Sequence, residues 1–67
     1  MYAEEVADIA MEFMREKAGY AFPRLEKVTF SQTLSEWEVL VDAGVYGEKI
    51  IKRVVIDDAT RKVIRFE

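Results

Sequence analysis

The sequence feature that most constrains the fold is a pair of apolar runs at residues 49–57 and 62–66, separated by a four-residue segment. Five of the nine residues in 49–57 are Val or Ile, and β-branched side chains favour strands because they are stiff and fit a pleated surface. Between the runs, Asp58 and Thr60 have short polar side chains that can bond backbone groups in a turn. The pattern therefore predicts a β-hairpin on which the rest of the chain is arranged.

A helix is predicted over residues 3–18. Apolar residues recur there at helical spacing, and charged residues occupy the opposite arc. Gly19 follows at a position where helices commonly end in a left-handed residue. The apolar stripe of this helix consists of Tyr2, Val6, Ile9, Ala10 and Phe13.

Two further strands are predicted between the helix and the hairpin, over residues 25–32 and 36–43. Val28 and Phe30 share one face of the first strand, and Trp37, Val39 and Val41 alternate with other residues in the second. One helix followed by four short strands joined by turns predicts the α+β class. The simplest arrangement is a single domain over 1–67, in which the helix packs across a four-stranded antiparallel meander.

The 67-residue chain is near the size at which one core gives marginal stability, and it contains neither Cys nor His. Disulfides and Cys-based metal sites are therefore excluded. Packing, charge pairing and self-association remain as sources of stability. Many Glu, Lys and Arg residues with no Asn are typical of thermophile proteins, although such absences in a short chain also arise by chance.

The net charge of −3 argues against nucleic-acid binding, because neutralising phosphates requires several cations on one face. Residues 1–47 carry nine acidic and four basic side chains, whereas residues 48–67 carry four and six. No apolar run approaches the roughly 20 residues that span a bilayer, and the N-terminal segment is acidic where a signal peptide would be basic. These features predict a soluble cytoplasmic protein without membrane contact.

Catalysis is not expected from this sequence. Without His or Cys, general acid–base chemistry could use only carboxylates, Lys or Tyr. The adjacent acids Asp57 and Asp58 are interpreted as turn formers, since neighbours on a strand point to opposite faces. The spacing of Gly44 and Gly47 does not match a phosphate-binding loop. No catalytic, metal or cofactor site is predicted.

The strand at 49–57 is apolar on both sides, which makes its outer face a candidate interaction surface. Ile51, Arg53 and Val55 would lie on the face away from the helix, joined by Leu40 from the neighbouring strand and extended by Val63. A second copy or another protein would cover this patch. The alternative is that scattered surface aliphatics are ordinary.

Two other features are candidates for partner contact. Met11 and Met14 belong to a second apolar strip of the helix, which is either a docking surface or a flexible filling at the edge of the core. Tyr46 lies between two glycines at a predicted loop tip. There it either contacts a partner or packs on its own loop.

The chain resembles PepSY-type domains. A helix ending at Gly19 is followed by Trp37-Glu38-Val39-Leu40-Val41, where that family tends to have Tyr/Trp-x-Val-x-Val. The segment VVIDDATRKV at residues 54–63 then stands where the family has a strand, Asp-Ala, Thr-Gly, Lys and Val, with Arg61 in place of the usual Gly. PepSY domains are typically extracytoplasmic, which differs from the location predicted above.

The resemblance implies a non-catalytic binding or regulatory module, proposed in that family to restrain peptidases, and it brings no catalytic residues. The helix-on-meander shape is also similar to cystatin-like folds, which serve as inhibitors, binding cups and dimerisation platforms. Two hypotheses follow: a non-catalytic interaction domain that forms a homodimer or binds a protein partner, and a PepSY-like peptidase-modulating module. A third, more distant one is a small-ligand pocket between the helix and the sheet, which chemical-shift changes of Trp37 or Phe13 would report.

Overall fold

One helix and four strands make up the chain, and the computed structural model describes all of its residues, 1–67. Helix α1 spans Ala3–Glu16, and strands β1 to β4 span Arg24–Ser31, Glu36–Asp42, Ile51–Asp57 and Val63–Phe66. The strands form one sheet in the order β1-β2-β3-β4, and each pair of neighbours is antiparallel. The predicted α+β class and the order of its elements are confirmed.

Helix α1 ends two residues earlier than predicted. Lys17 is its C-cap residue, and Gly19 has a φ angle of +80°. The chain reverses there, so that the Tyr20 N–H donates to the Met14 carbonyl at 2.9 Å. Glycine reaches this left-handed conformation without steric cost. Lys17 and Ala18, although good helix formers, therefore belong to the capping turn.

Strand β3 begins at Ile51, because the two residues before it belong to the loop from β2. One carboxylate oxygen of Asp42, Oδ1, accepts hydrogen bonds from the backbone N–H groups of Gly44 at 2.9 Å and Ile50 at 3.2 Å. The Ala43 N–H donates to the Ile50 carbonyl at 2.8 Å. The strand start differs from the predicted position because a side chain binds the Ile50 N–H.

The core lies between α1 and one face of the sheet. Three helix residues spaced four apart, Val6, Ala10 and Met14, point at the sheet and are completely buried. Tyr2 was predicted to be part of the apolar stripe, but it is exposed. The residues that face the sheet come from both predicted strips: Val6 and Ala10 from the first, and Met14 from the second. The buried cluster consists of Val6, Ala10, Met14, Val39, Val41, Ala43, Val54 and Ile56.

The turn between β3 and β4 is held together by its acids. Oδ2 of Asp57 accepts the Thr60 N–H at 2.8 Å, and Oδ1 of Asp58 accepts the indole Nε1–H of Trp37 at 2.8 Å. Arg61 closes the turn with a φ angle of +63°, a conformation that favours glycine. Asp57 makes the local backbone bond that the sequence predicted for a turn former, whereas Asp58 bonds a side chain of β2 instead.

Candidate interaction surfaces

The face of the sheet away from α1 is covered by ion pairs. On this face, Arg53 lies between two carboxylates: its Nε is 3.2 Å from Glu38 Oε2 and 3.3 Å from Glu67 Oε1. The Nε atom is itself buried, and its N–H is not directed at either oxygen. Arg65 pairs with Glu36 on the same face. The contacts of Arg53 Nε are therefore ionic contacts without the alignment of a hydrogen bond.

The predicted open patch of apolar residues is largely absent from this face. Val55 points away from the helix, as predicted, but only 2% of it is exposed, and Leu40 is half-buried. Ile51 retains 43% exposure. Val63 was expected to extend the patch, but it pairs with Ile56 and packs against the core on the helix side. The assignment of Val55 and Val63 to an exposed patch is therefore corrected.

The methionine strip on α1 is also mostly internal. Met14 is completely buried between the helix and the sheet, so it cannot belong to a docking surface in this structure. Met11 is partly buried and packs against the same core. Of the two interpretations of this strip, the structure shows core packing for both methionines.

The loop between β2 and β3 presents Tyr46 at its tip, where the side chain is fully exposed and φ is +55°. A left-handed conformation is uncommon for a bulky residue, and the turn around Tyr46 is closed by the Glu48 N–H, which donates to the Val45 carbonyl at 3.1 Å. Arg24 supports the base of the loop, donating from Nη2 to the Gly44 carbonyl at 2.7 Å and lying 3.3 Å from Asp42. The Tyr46 side chain is therefore not packed against its own loop. It is exposed to solvent at the tip of a loop whose start is held by Arg24.

A groove runs between α1 and the β3–β4 hairpin. It has a volume of about 450 Å³. The helix contributes Ile9, Glu12, Phe13, Glu16 and Lys17, and the hairpin contributes Arg61, Lys62 and Val63. Beside it, the rings of Phe13 and Phe66 meet edge to face with their centroids 5.2 Å apart. The groove exists because α1 packs mainly over β1, β2 and β3, leaving the inner side of β4 less covered.

The walls of this groove carry opposite charges. The helix side is acidic apart from Lys17, and the hairpin side is basic. At one end, Arg61 Nη1 bridges the two walls by pairing with Glu5 Oε2 at 2.9 Å. Glu12, Glu16, Lys17 and Lys62 have no ion-pair partner within the chain. Four charges of both signs therefore remain available along one apolar groove.

Helical spacing alone could have shown that Glu12 and Glu16 border Ile9 and Phe13 on one flank of α1. The nearness of Lys62 depends on where the helix sits over the sheet, which local spacing does not specify.

No group of three or more acidic side chains is placed to hold a metal ion. α1 is too short and too polar to cross a bilayer.

No protein-family model, curated protein or solved structure matches this chain. The PepSY resemblance therefore stays a prediction from the sequence. The class that the structure defines is a small α+β domain with a four-stranded antiparallel sheet.

Proposed function

We propose that this protein is a small non-catalytic protein-interaction domain that associates with a second copy of itself. The observation that supports the proposal is the balance between buried and exposed apolar residues: nine hydrophobic residues are buried, whereas ten large ones are at least 38% exposed. The exposed residues are Tyr2, Phe22, Leu25, Phe30, Leu34, Val45, Tyr46, Ile51, Ile64 and Phe66.

The size of the chain gives this exposure a thermodynamic consequence. A domain of about 60 residues buries only about 60% of the surface that its unfolded chain exposes, so its stability is marginal. Association that occurs only in the folded state adds stability by mass action. A second copy that covers apolar side chains would therefore stabilise a chain that has no disulfides.

The two carboxyl groups with lowered pKa values, Asp42 and Asp57, are not candidates for general-acid catalysis. The pKa of Asp42 is lowered chiefly by the Gly44 backbone N–H, and that of Asp57 chiefly by the Thr60 backbone N–H. A general acid needs a raised pKa and a site open to substrate. Both of these groups are instead held ionised by the turns that they stabilise.

Sedimentation equilibrium from low to high micromolar concentration tests the proposal. We expect the mass to rise with concentration from the 7.8 kDa of one chain toward twice that value. The thermal unfolding midpoint should rise over the same concentration range, because association stabilises only the folded state and increases with concentration. A mass that stays at 7.8 kDa at high micromolar concentration would exclude this function.

A further inference from the structure

We propose that the groove between α1 and the β3–β4 hairpin is the contact surface of a two-fold symmetric dimer of this chain. The inference rests on the proposed self-association and adds its location and geometry. The groove combines an apolar floor, charges of both signs and an adjoining free sheet edge. The charges of both signs favour a second copy as its occupant.

The floor of the groove is apolar and incompletely covered. Ile9, Phe13 and Val63 are each half-buried there and pack against the core from the outside. Along the adjoining strand β4, Ile64 is 44% exposed and Phe66 is 38% exposed. A partner lying over these five side chains would remove more of their apolar surface from water. Removal of apolar surface from water favours association.

The charges of the groove are complementary to those of an identical groove. In a two-fold dimer both copies use the same patch, so the patch must match itself. A two-fold axis in the interface, midway between the Glu12–Glu16 pair and Lys62, brings the acids of each copy against Lys62 of the other. None of these three residues has an ion-pair partner within its own chain. The contact would therefore supply partners that the single chain lacks.

A stable contact would have to extend from the groove onto the surface around it, including strand β4. A standard interface buries about 800 Å² on each partner, which is about a sixth of the 4599 Å² that this chain exposes. Strand β4 adds a free edge, whose unpaired backbone groups a partner would protect. The opposite face of the sheet is a weaker candidate, because Glu36, Glu38 and Glu67 are already paired there.

Two charge variants test the geometry. The double variant Glu12→Lys with Glu16→Lys makes the unpaired charges of the groove entirely basic, and Lys17→Glu with Lys62→Glu makes them entirely acidic. None of these four side chains takes part in an ion pair within the chain, so each variant should fold. We expect each variant alone to dimerise at least about tenfold more weakly than the wild type, because like charges would meet across the axis.

Mixing the two variants gives the decisive measurement. In a two-fold contact the basic groove of one variant meets the acidic groove of the other, so the equimolar mixture should regain affinity as a heterodimer. The controls carry charge changes of the same sign elsewhere: Glu4→Lys with Glu48→Lys, and Lys27→Glu. These controls should dimerise within about threefold of the wild type, since exposed charges far from a contact have weak effects.

The outcomes separate the two proposals. Loss of affinity in both groove variants, with recovery on mixing, supports the groove dimer. If the wild type dimerises and the groove variants dimerise equally well, the groove is not the contact surface. The same conclusion follows if the variants do not regain affinity on mixing, and in both cases the proposed self-association remains. A wild type that is monomeric at high micromolar concentration overturns both.

Discussion

Val55 on β3 lies directly opposite Glu38 on β2, on the face of the sheet away from α1, yet only 2% of Val55 is exposed. Arg65 is its neighbour on the other side, on β4, and Arg53, two residues away, pairs with Glu38. Long charged side chains can cover apolar surface with their stems while their heads stay in water. The ion pairs of this face therefore have a second consequence, which is to shield an apolar residue.

This arrangement predicts different effects of truncating two aliphatic residues on the same face. Val55→Ala should lower the free energy of unfolding by about 1–3 kcal/mol, because buried methyl groups are removed and a void remains. Ile51→Ala, at 43% exposure, should cost about 0.5–1 kcal/mol, because much of its surface already contacts water. Urea unfolding followed by circular dichroism measures both. Equal losses in the two variants would contradict the shielding of Val55.

Only part of the arrangement of this sheet could be predicted from the sequence. Strict alternation predicted that Trp37, Val39 and Val41 share the core face, because a strand reverses its side chains at each residue. The burial of Val55 depends on cross-strand register and on the bulge that makes Ile64 an extra residue in β4. Neither is encoded in local spacing, so the same alternation wrongly predicted an open patch.

Trp37 reports directly on the β3–β4 turn, because its indole N–H donates to Asp58 at 2.8 Å. Asp58→Ala should lower the free energy of unfolding by about 1–2 kcal/mol, since a partly buried donor would lose its acceptor. Asp58→Asn is the matched control and should lose less, because its amide oxygen can still accept. Urea unfolding can be followed by the fluorescence of Trp37, the one tryptophan of the chain. Equal losses in the two variants would show that the hydrogen bond contributes little.

The loop that presents Tyr46 depends on a close backbone approach at Gly44. A Cβ atom at Gly44 would lie 1.9 Å from the Glu48 carbonyl oxygen. Gly44→Ala should therefore cost at least about 2 kcal/mol, because backbone atoms would have to move. Gly47→Ala is the control: a Cβ there meets open space, and only its φ of +80° opposes the substitution, at a cost of about 1–2 kcal/mol. Thermal and urea unfolding distinguish the two, and a smaller loss at Gly44 would contradict the close approach.

The candidate surfaces were less predictable from the sequence than the fold. Helical periodicity identified α1 but not its rotation about its own axis: the structure buries Val6 and Ala10 from one predicted apolar strip and Met14 from the other. The rotation of a helix about its axis is set by packing against the strands. The groove between α1 and β4 likewise depends on lateral helix position, so Lys62 could not be placed beside Glu12 and Glu16 from spacing alone.

Acid stability should depend on the two carboxylates whose pKa values lie below the ordinary 3.8. For Asp42 the main cause is the Gly44 N–H, with burial acting in the opposite direction and with further lowering by Ile50 and Arg24. For Asp57 the Thr60 N–H and hydroxyl are the main causes. Each group binds its proton less tightly in the folded chain than in the unfolded chain.

A carboxylate of this kind contributes stability that is fully present above its unfolded pKa and is lost as the pH falls through its folded pKa. We therefore expect urea midpoints to show no loss from Asp42 or Asp57 between pH 7 and 5, and a loss that begins as the pH approaches 3.8 and grows below it. Asp42→Asn should be less stable than the wild type at pH 7, because the ionised acceptor is lost from the loop. The same variant should lose less stability between pH 5 and 2.5, because one of the two linked protonations has been removed. Parallel pH profiles for the wild type and Asp42→Asn would show that the loop carboxylate is not linked to folding.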